Sequence, residues 1–260
     1  MWNVKVLLIP LMLLVFLHPV NSPAAASDME VKKDKEKINI KDILKSADRS
    51  RGNLEGLAWS VETRTAEKDK NEQVLKFRLL TKNSNSLVKF TSPSRMGGQM
   101  MLMRDRNMWF IRPGLRKPVA ISPRQRLTGA ASNGDIASTN YAEDYDATLV
   151  GEEVLDGVPC YVLDLVANSK DVTYDKIKYW VSKSDGLGKH AGFYTVSGKL
   201  FKEASFEYKN QIIKNKTRIP FVSEMVITDT NSGTVTILTY RDITIQDIPN
   251  STFNLNLLVR

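Results

Sequence analysis

Hydrophobic positions along this chain change period once. From 39 to 51 apolar residues recur at helical spacing, with Ile40, Ile43, Leu44 and Ala47 on one face and Gly52 placed to end the segment. After Gly56 the period becomes two. Over 57–67, Trp59, Val61 and Thr63 alternate with Ser60 and Glu62, which predicts a half-buried strand. Polar turns then separate further runs at 74–80 and 87–90, the pattern of an antiparallel meander. A Met-rich strand next meets a Trp/Phe strand through Asp105-Arg106-Asn107. Strands are again predicted over 145–150, 158–166, 174–182, 191–196, 199–208, 217–228 and 234–246, with hairpin turns at Asp156-Gly157, Ser197-Gly198 and Asn231-Ser232-Gly233. The reading is a mainly β (α+β) domain with about ten or eleven antiparallel strands.

The segment 113–145 breaks the meander. It is long and rich in arginine, proline and glycine, and connections of that length in a compact domain are usually lids or binding loops. Several strands are apolar on both faces: Leu238 and Tyr240 oppose Val235 and Ile237, and Val222 and Val226 oppose Phe221 and Met225. Such a sheet needs cover on both sides. The helix at 39–51 and the long connection are the covers in view. They look too small to fill the sheet's concave side, which predicts an apolar cavity. Its expected lining is Trp59, Phe90, Met101, Met103, Trp109, Ile111, Leu163, Trp180, Phe206 and Met225, methionine and aromatics making an adaptable surface. For each of these residues taken singly, ordinary core packing is the better explanation; only the collective excess of apolar faces favours a cavity.

The first residues carry one charge, Lys5, then an apolar run over 6–17 and small residues ending in Ala24-Ala25-Ala26. This is the pattern of a secretory signal peptide over 1–26, followed by a charged leader over 27–38 and a single domain within 27–260. The lone Cys160 reads as a small buried hydrophobe. An exported chain without cysteine pairs fits a bacterial periplasm. The formal net charge of +8 admits nucleic acid, anionic membrane or acidic partners, and export argues against nucleic acid. Arg112, Arg116, Arg124 and Arg126 concentrate charge in the long connection, as a lid or docking surface for phosphates or carboxylates.

Catalytic patterns are weak. There is no GxSxG elbow, HExxH helix or paired-cysteine metal motif, and His190 has no evident partner. Glu143, Asp144, Asp146, Glu152 and Glu153 lack the spacing of an EF-hand. No cofactor or metal is expected, and the chain reads as a non-enzyme. Paired carboxylates assembled in space remain open as an alternative.

The ordered set MLMRDRNMWFIRP, ISPRQRLTG, NYAEDYDATLVGEEVLDGVPCYVLDL, KYWVSKSDGL, GKLFKEASFEYKN and TRIPFVSEMVITDTNSGTVTILTYRDI resembles the bacterial outer-membrane lipoprotein-sorting (LolA-like) family from Leu57 onward. One departure lies in the long connection: Asn133-Gly134-Asp135-Ile136-Ala137-Ser138 stands where the family has a Gly-Ser-Asp-Phe-Ser-Tyr-like segment. The resemblance implies an incomplete barrel with helices on its concave side. It also implies a monomeric periplasmic carrier of lipid or lipoprotein acyl chains, served by an inner-membrane transporter and an outer-membrane acceptor. A lipid-sensing module that contacts a membrane regulator is the alternative use of the same cavity.

Overall fold

The computed structural model describes residues 38–67, 71–115, 117–137 and 140–259. The expected signal peptide and all but the last residue of the charged leader lie outside them. Helix α1 (Ile40–Arg49) is opened by Asn39, whose side chain accepts from the Lys41 and Asp42 N–H groups. It buries Leu44 and Ala47, two of the four residues that set its period.

The strands follow as β1 (Leu57–Ala66), β2 (Gln73–Lys82), β3 (Asn85–Ser92), β4 (Met100–Arg104), β5 (Asn107–Ile111) and β6 (Val119–Ile121). The connection continues through β7 (Arg126–Thr128), β8 (Ala131–Ser132), α2 (Asn133–Ala137) and α3 (Tyr141–Asp144). The second run is β9 (Tyr145–Leu155), β10 (Val158–Ala167), β11 (Lys176–Ser182), β12 (Gly188–Tyr194) and β13 (Leu200–Glu207). It ends with β14 (Asn210–Lys214), β15 (Thr217–Phe221), β16 (Glu224–Asp229), β17 (Val235–Ile245) and a short α4 (Leu255–Leu258).

Thirteen strands form one antiparallel sheet, in the order β6-β5-β4-β3-β2-β1-β17-β16-β13-β12-β11-β10-β9. The sheet does not close, because β6 and β9 remain its edges. It curls nonetheless. Phe90 and Met101 from one arm and Leu163 and Tyr179 from the other belong to one continuous buried cluster. The turn between β4 and β5 also reaches across to the start of β9: Arg106 Nη2 lies 2.9 Å from Asp144 Oδ1.

The mainly β, open-barrel architecture is as expected, with more strands. One expected strand, 217–228, is two. At Val222 the chain leaves the ladder so that its N–H donates to the Ser50 carbonyl (2.8 Å) at the end of α1. Residues 210–214, unassigned from sequence, pair with the first half as a separate hairpin. Cys160 is free and fully buried, as its composition implied. Among the described residues no helix is long and apolar enough to cross a membrane.

Candidate functional site

The concave face is roofed by α1, α2 and α3. Two features aim the end of α1 inward. Gly52, at φ +115°, follows the helix, and a Cβ there would sit 2.8 Å from the Trp59 ring. Only glycine permits both that backbone and that approach. The chain can therefore bend over Trp59 and carry Arg51 into the interior. The Arg51 guanidinium lies 4.8 Å from the Tyr141 ring centre on one side and 4.5 Å from that of Phe206 on the other. This is a cation held between aromatic faces, of which Tyr141 belongs to the roof and Phe206 to the sheet.

Asp48, one turn earlier, is also buried. Its Oδ2 accepts the Ala142 N–H at 2.8 Å and so holds α3 in place. Burial pushes this carboxyl up to about 6, against the pull of the Ala142 N–H and of Arg51. Around these two residues Asp48 Oδ1, Arg51 Nη1, Tyr179 OH and Tyr208 OH are buried with no hydrogen-bond partner among the described residues. Each such atom costs roughly 1–3 kcal/mol.

The second half of the roof is seated by Asp135 of α2. It accepts the Tyr174 hydroxyl at 2.8 Å and the Ser132 N–H at 2.8 Å. Lys202, buried from the sheet side, donates to Ser132 Oγ at 2.8 Å, and desolvation lowers its pKa. A Cβ on Gly134 would stand 1.9 Å from Thr173 Oγ1, so α2 descends to a depth only glycine allows. The connection is thus packed into the interior, where the sequence predicted a loop lying over it.

The expected lining divides between the two faces. Trp59, Phe90, Met101, Met103, Leu163, Phe206 and Met225 all belong to the interior cluster. Trp109 and Ile111 do not. Cross-strand partners share a face, and the β4–β5 register pairs Met101 with Phe110 and Met103 with Met108. Trp109 and Ile111 therefore join Met100 and Leu102 on the opposite face, under Ile248, Phe253 and Leu255. Trp180 is likewise outside: its Nε1 donates to Glu153 (2.8 Å), its ring meets His190, and its neighbours Tyr179 and Val181 point inward.

The arginines divide too. Arg124 is committed internally, to Asp175 at 2.6 Å and to the Val172 carbonyl at 2.9 Å, so it is not a free docking group. Arg112 and Arg126 are exposed. Arg116 lies outside the described residues.

Sequence reasoning also missed the interior polar residues. Arg51 and Asp48 sit on the continuation of a helix whose other buried positions are apolar. Tyr141, Tyr145, Tyr174, Tyr179 and Tyr240 are core residues, and that filling was left out of the cavity argument. As a result the interior is occupied. Only about 30 Å³ remains beside Arg51, Trp59, Ile136 and Tyr240, against the expectation of spare apolar room. A larger cavity of about 330 Å³ opens at one end, between Met103, Arg106, Tyr141, Asp144 and Val172. The two share Met103, Ser84 and Asn140. There desolvation raises the Asp144 pKa while Arg106 opposes it.

Comparison with known proteins bears on this architecture. A family model whose description reads "uncharacterized protein" matches residues 82–260. Among curated proteins no relative matches. A LolA superfamily protein from Nitrosomonas europaea is 34% identical, with a TM-score of 0.76, over 85% of this chain and 99% of that one. A domain named for outer membrane lipoprotein sorting, from Vibrio parahaemolyticus, shares the fold with a TM-score of 0.72 at 20% identity, over 85% of this chain and 98% of that one. With 34% identity to the first of these over most of both chains, the chain belongs to the LolA superfamily.

Proposed function

We propose that this protein is a periplasmic carrier that takes lipid or lipoprotein acyl chains into the concave interior of its sheet. In this reading it passes them between envelope membranes or from an inner-membrane exporter to an outer-membrane acceptor. The observation that carries the reading is the nature of the roof. The apolar face lined by Trp59, Phe90, Met101, Met103, Leu163 and Phe206 is covered by small pieces: helices of ten, five and four residues and the short hairpins β7–β8 and β14–β15, which add Ala131, Ile212 and Phe221 to the same cluster. That roof is seated over a polar cluster with four unpartnered buried atoms.

The energetics favour exchange. Lifting the roof lets those polar atoms meet water, which offsets part of the cost of exposing the apolar face. An acyl chain entering in its place contributes about 0.8 kcal/mol per methylene buried, on the order of 8 kcal/mol for ten. The two contributions oppose the cost of exposing the apolar face, and a carrier must keep their sum small enough to release its load. The end cavity beside Arg106 is the natural point of entry. The Vibrio domain named for lipoprotein sorting, alike in fold, supports the same reading.

Native mass spectrometry of the protein purified from its own envelope, followed by lipid extraction, tests it. A defined co-purifying acylated species is expected. Protein that carries none and fails to take up a fluorescent fatty acid in vitro would sink the proposal.

A further inference from the structure

Strands β14 and β15 form a two-stranded sheet apart from the main one, joined by Asn215-Lys216, both with positive φ (49° and 65°). This is the two-residue turn whose twist suits a tight hairpin. Its root is fixed. Ile212 is buried, and Phe221 is fully buried against Trp59 (ring centres 5.6 Å apart). Asn210 Nδ2 donates to the carbonyls of Val222 and Tyr240, each at 2.9 Å.

The other face and the tip are free. Ile213 pairs across the hairpin with Arg218 and is 68% exposed, although Ile212 and Ile219 show that the hairpin has an inner side able to bury isoleucine. From 209 to 221 the chain has Lys209, Lys214, Lys216 and Arg218 and no acidic residue. Lys209 pairs with Glu207 at the root. Lys214, Lys216 and Arg218 make no ion pair with any described residue.

Beside the hairpin runs a groove of about 430 Å³ lined by Arg49, Asn53, Leu54, Glu55, Lys214 and Ile219. Glu55 is its one carboxylate. Asn53 and Asn83 line both this groove and the small interior space beneath Arg51 and Trp59. The groove beside the hairpin therefore adjoins that small interior space.

We propose that the hairpin 210–221 is a docking finger for an anionic bilayer surface, Ile213 entering the boundary of headgroups and acyl chains while Lys214, Lys216 and Arg218 lie among the phosphates. An apolar side chain presented on a convex tip, ringed by cations, matches a membrane interface. It does not match a protein groove, which would call for a broader apolar face. Docking requires no cargo, so this inference goes beyond carriage.

Flotation of the purified protein with vesicles of phosphatidylglycerol and phosphatidylcholine (equal parts), against phosphatidylcholine alone, tests it. Binding to the anionic vesicles, weakened by high salt, is expected. Each cation near such a surface is worth roughly a fivefold change in partitioning. Lys214→Glu with Lys216→Glu should therefore lower binding at least 25-fold, and Ile213→Asp should lower it as well. Lys170→Glu, an exposed change elsewhere, should leave it within about twofold. Apart from the half-buried Lys214 these are exposed positions, and unchanged thermal melts would exclude misfolding.

Equal binding to both vesicle types, hairpin variants that bind as wild type, or no binding at all would each overturn the proposal. So would cross-links from the hairpin to an acidic envelope protein in the absence of vesicle binding. Vesicle binding without uptake of a fatty acid would sink the carrier reading and leave the finger standing.

Discussion

Asp48 holds its proton more tightly in the folded protein than in the unfolded chain, because burial disfavours the anion. Its contribution to stability is complete below about pH 4 and is lost as the pH rises to about 6 and beyond. The loss amounts to about 3 kcal/mol. Asp144, also raised by desolvation, adds to the same trend. Asp48→Asn should flatten the dependence between pH 4.5 and 7 measured by urea denaturation; a slope equal to wild type would place the titration elsewhere. Arg124 behaves differently from a docking residue. Reversal to Glu would set two carboxylates against each other at Asp175, and a loss of about 1–3 kcal/mol is expected, where an exposed Arg126→Glu should cost under about 0.5 kcal/mol. Equal melting temperatures for the two variants would count against that assignment.

The roof is where elements decide behaviour. Arg106 joins the β4–β5 turn to Asp144 (2.9 Å) and to the Glu143 carbonyl (3.0 Å), a partly exposed tie worth about 1 kcal/mol at most. Arg106→Ala should therefore speed uptake of a fluorescent fatty acid severalfold in stopped flow with little change in stability. Uptake at the wild-type rate would mean that this tie does not gate entry. Gly134→Ala drives a methyl group into Thr173 and should cost about 1–3 kcal/mol through unseating of α2, partly recovered by adding Thr173→Ala. A second substitution that merely adds its own cost would show that the clash lies elsewhere. At this scale the alternation in β1 and β10 was readable in the residues themselves. The division of 217–228 was not, since it depends on a carbonyl of α1 some 170 positions away along the chain.

At the scale of the molecule, the order of strands places β1, β17 and β16 at the centre of the sheet and β6 and β9 at its edges. Hydrogen exchange should find amides of β1 and β17 most protected, with β6, the outer half of β9 and the roof helices opening at lower cost. Roof amides as slow as those of β1 would argue against a cover that lifts. Length, alternation and turn residues by themselves determined an antiparallel β domain with one long helix and one long connection, because each depends on neighbours in the chain. The sequence also carried the apolar character of Trp59, Phe90, Met101 and Met103. Only the tertiary structure decided which face Trp109, Ile111 and Trp180 join, since a strand's two sides are equivalent until register and curvature distinguish them. The same holds for the interior: whether tyrosines and Arg51 fill the space, or leave it open, is settled by how far the connection descends, and that depth is fixed by packing between residues distant in sequence.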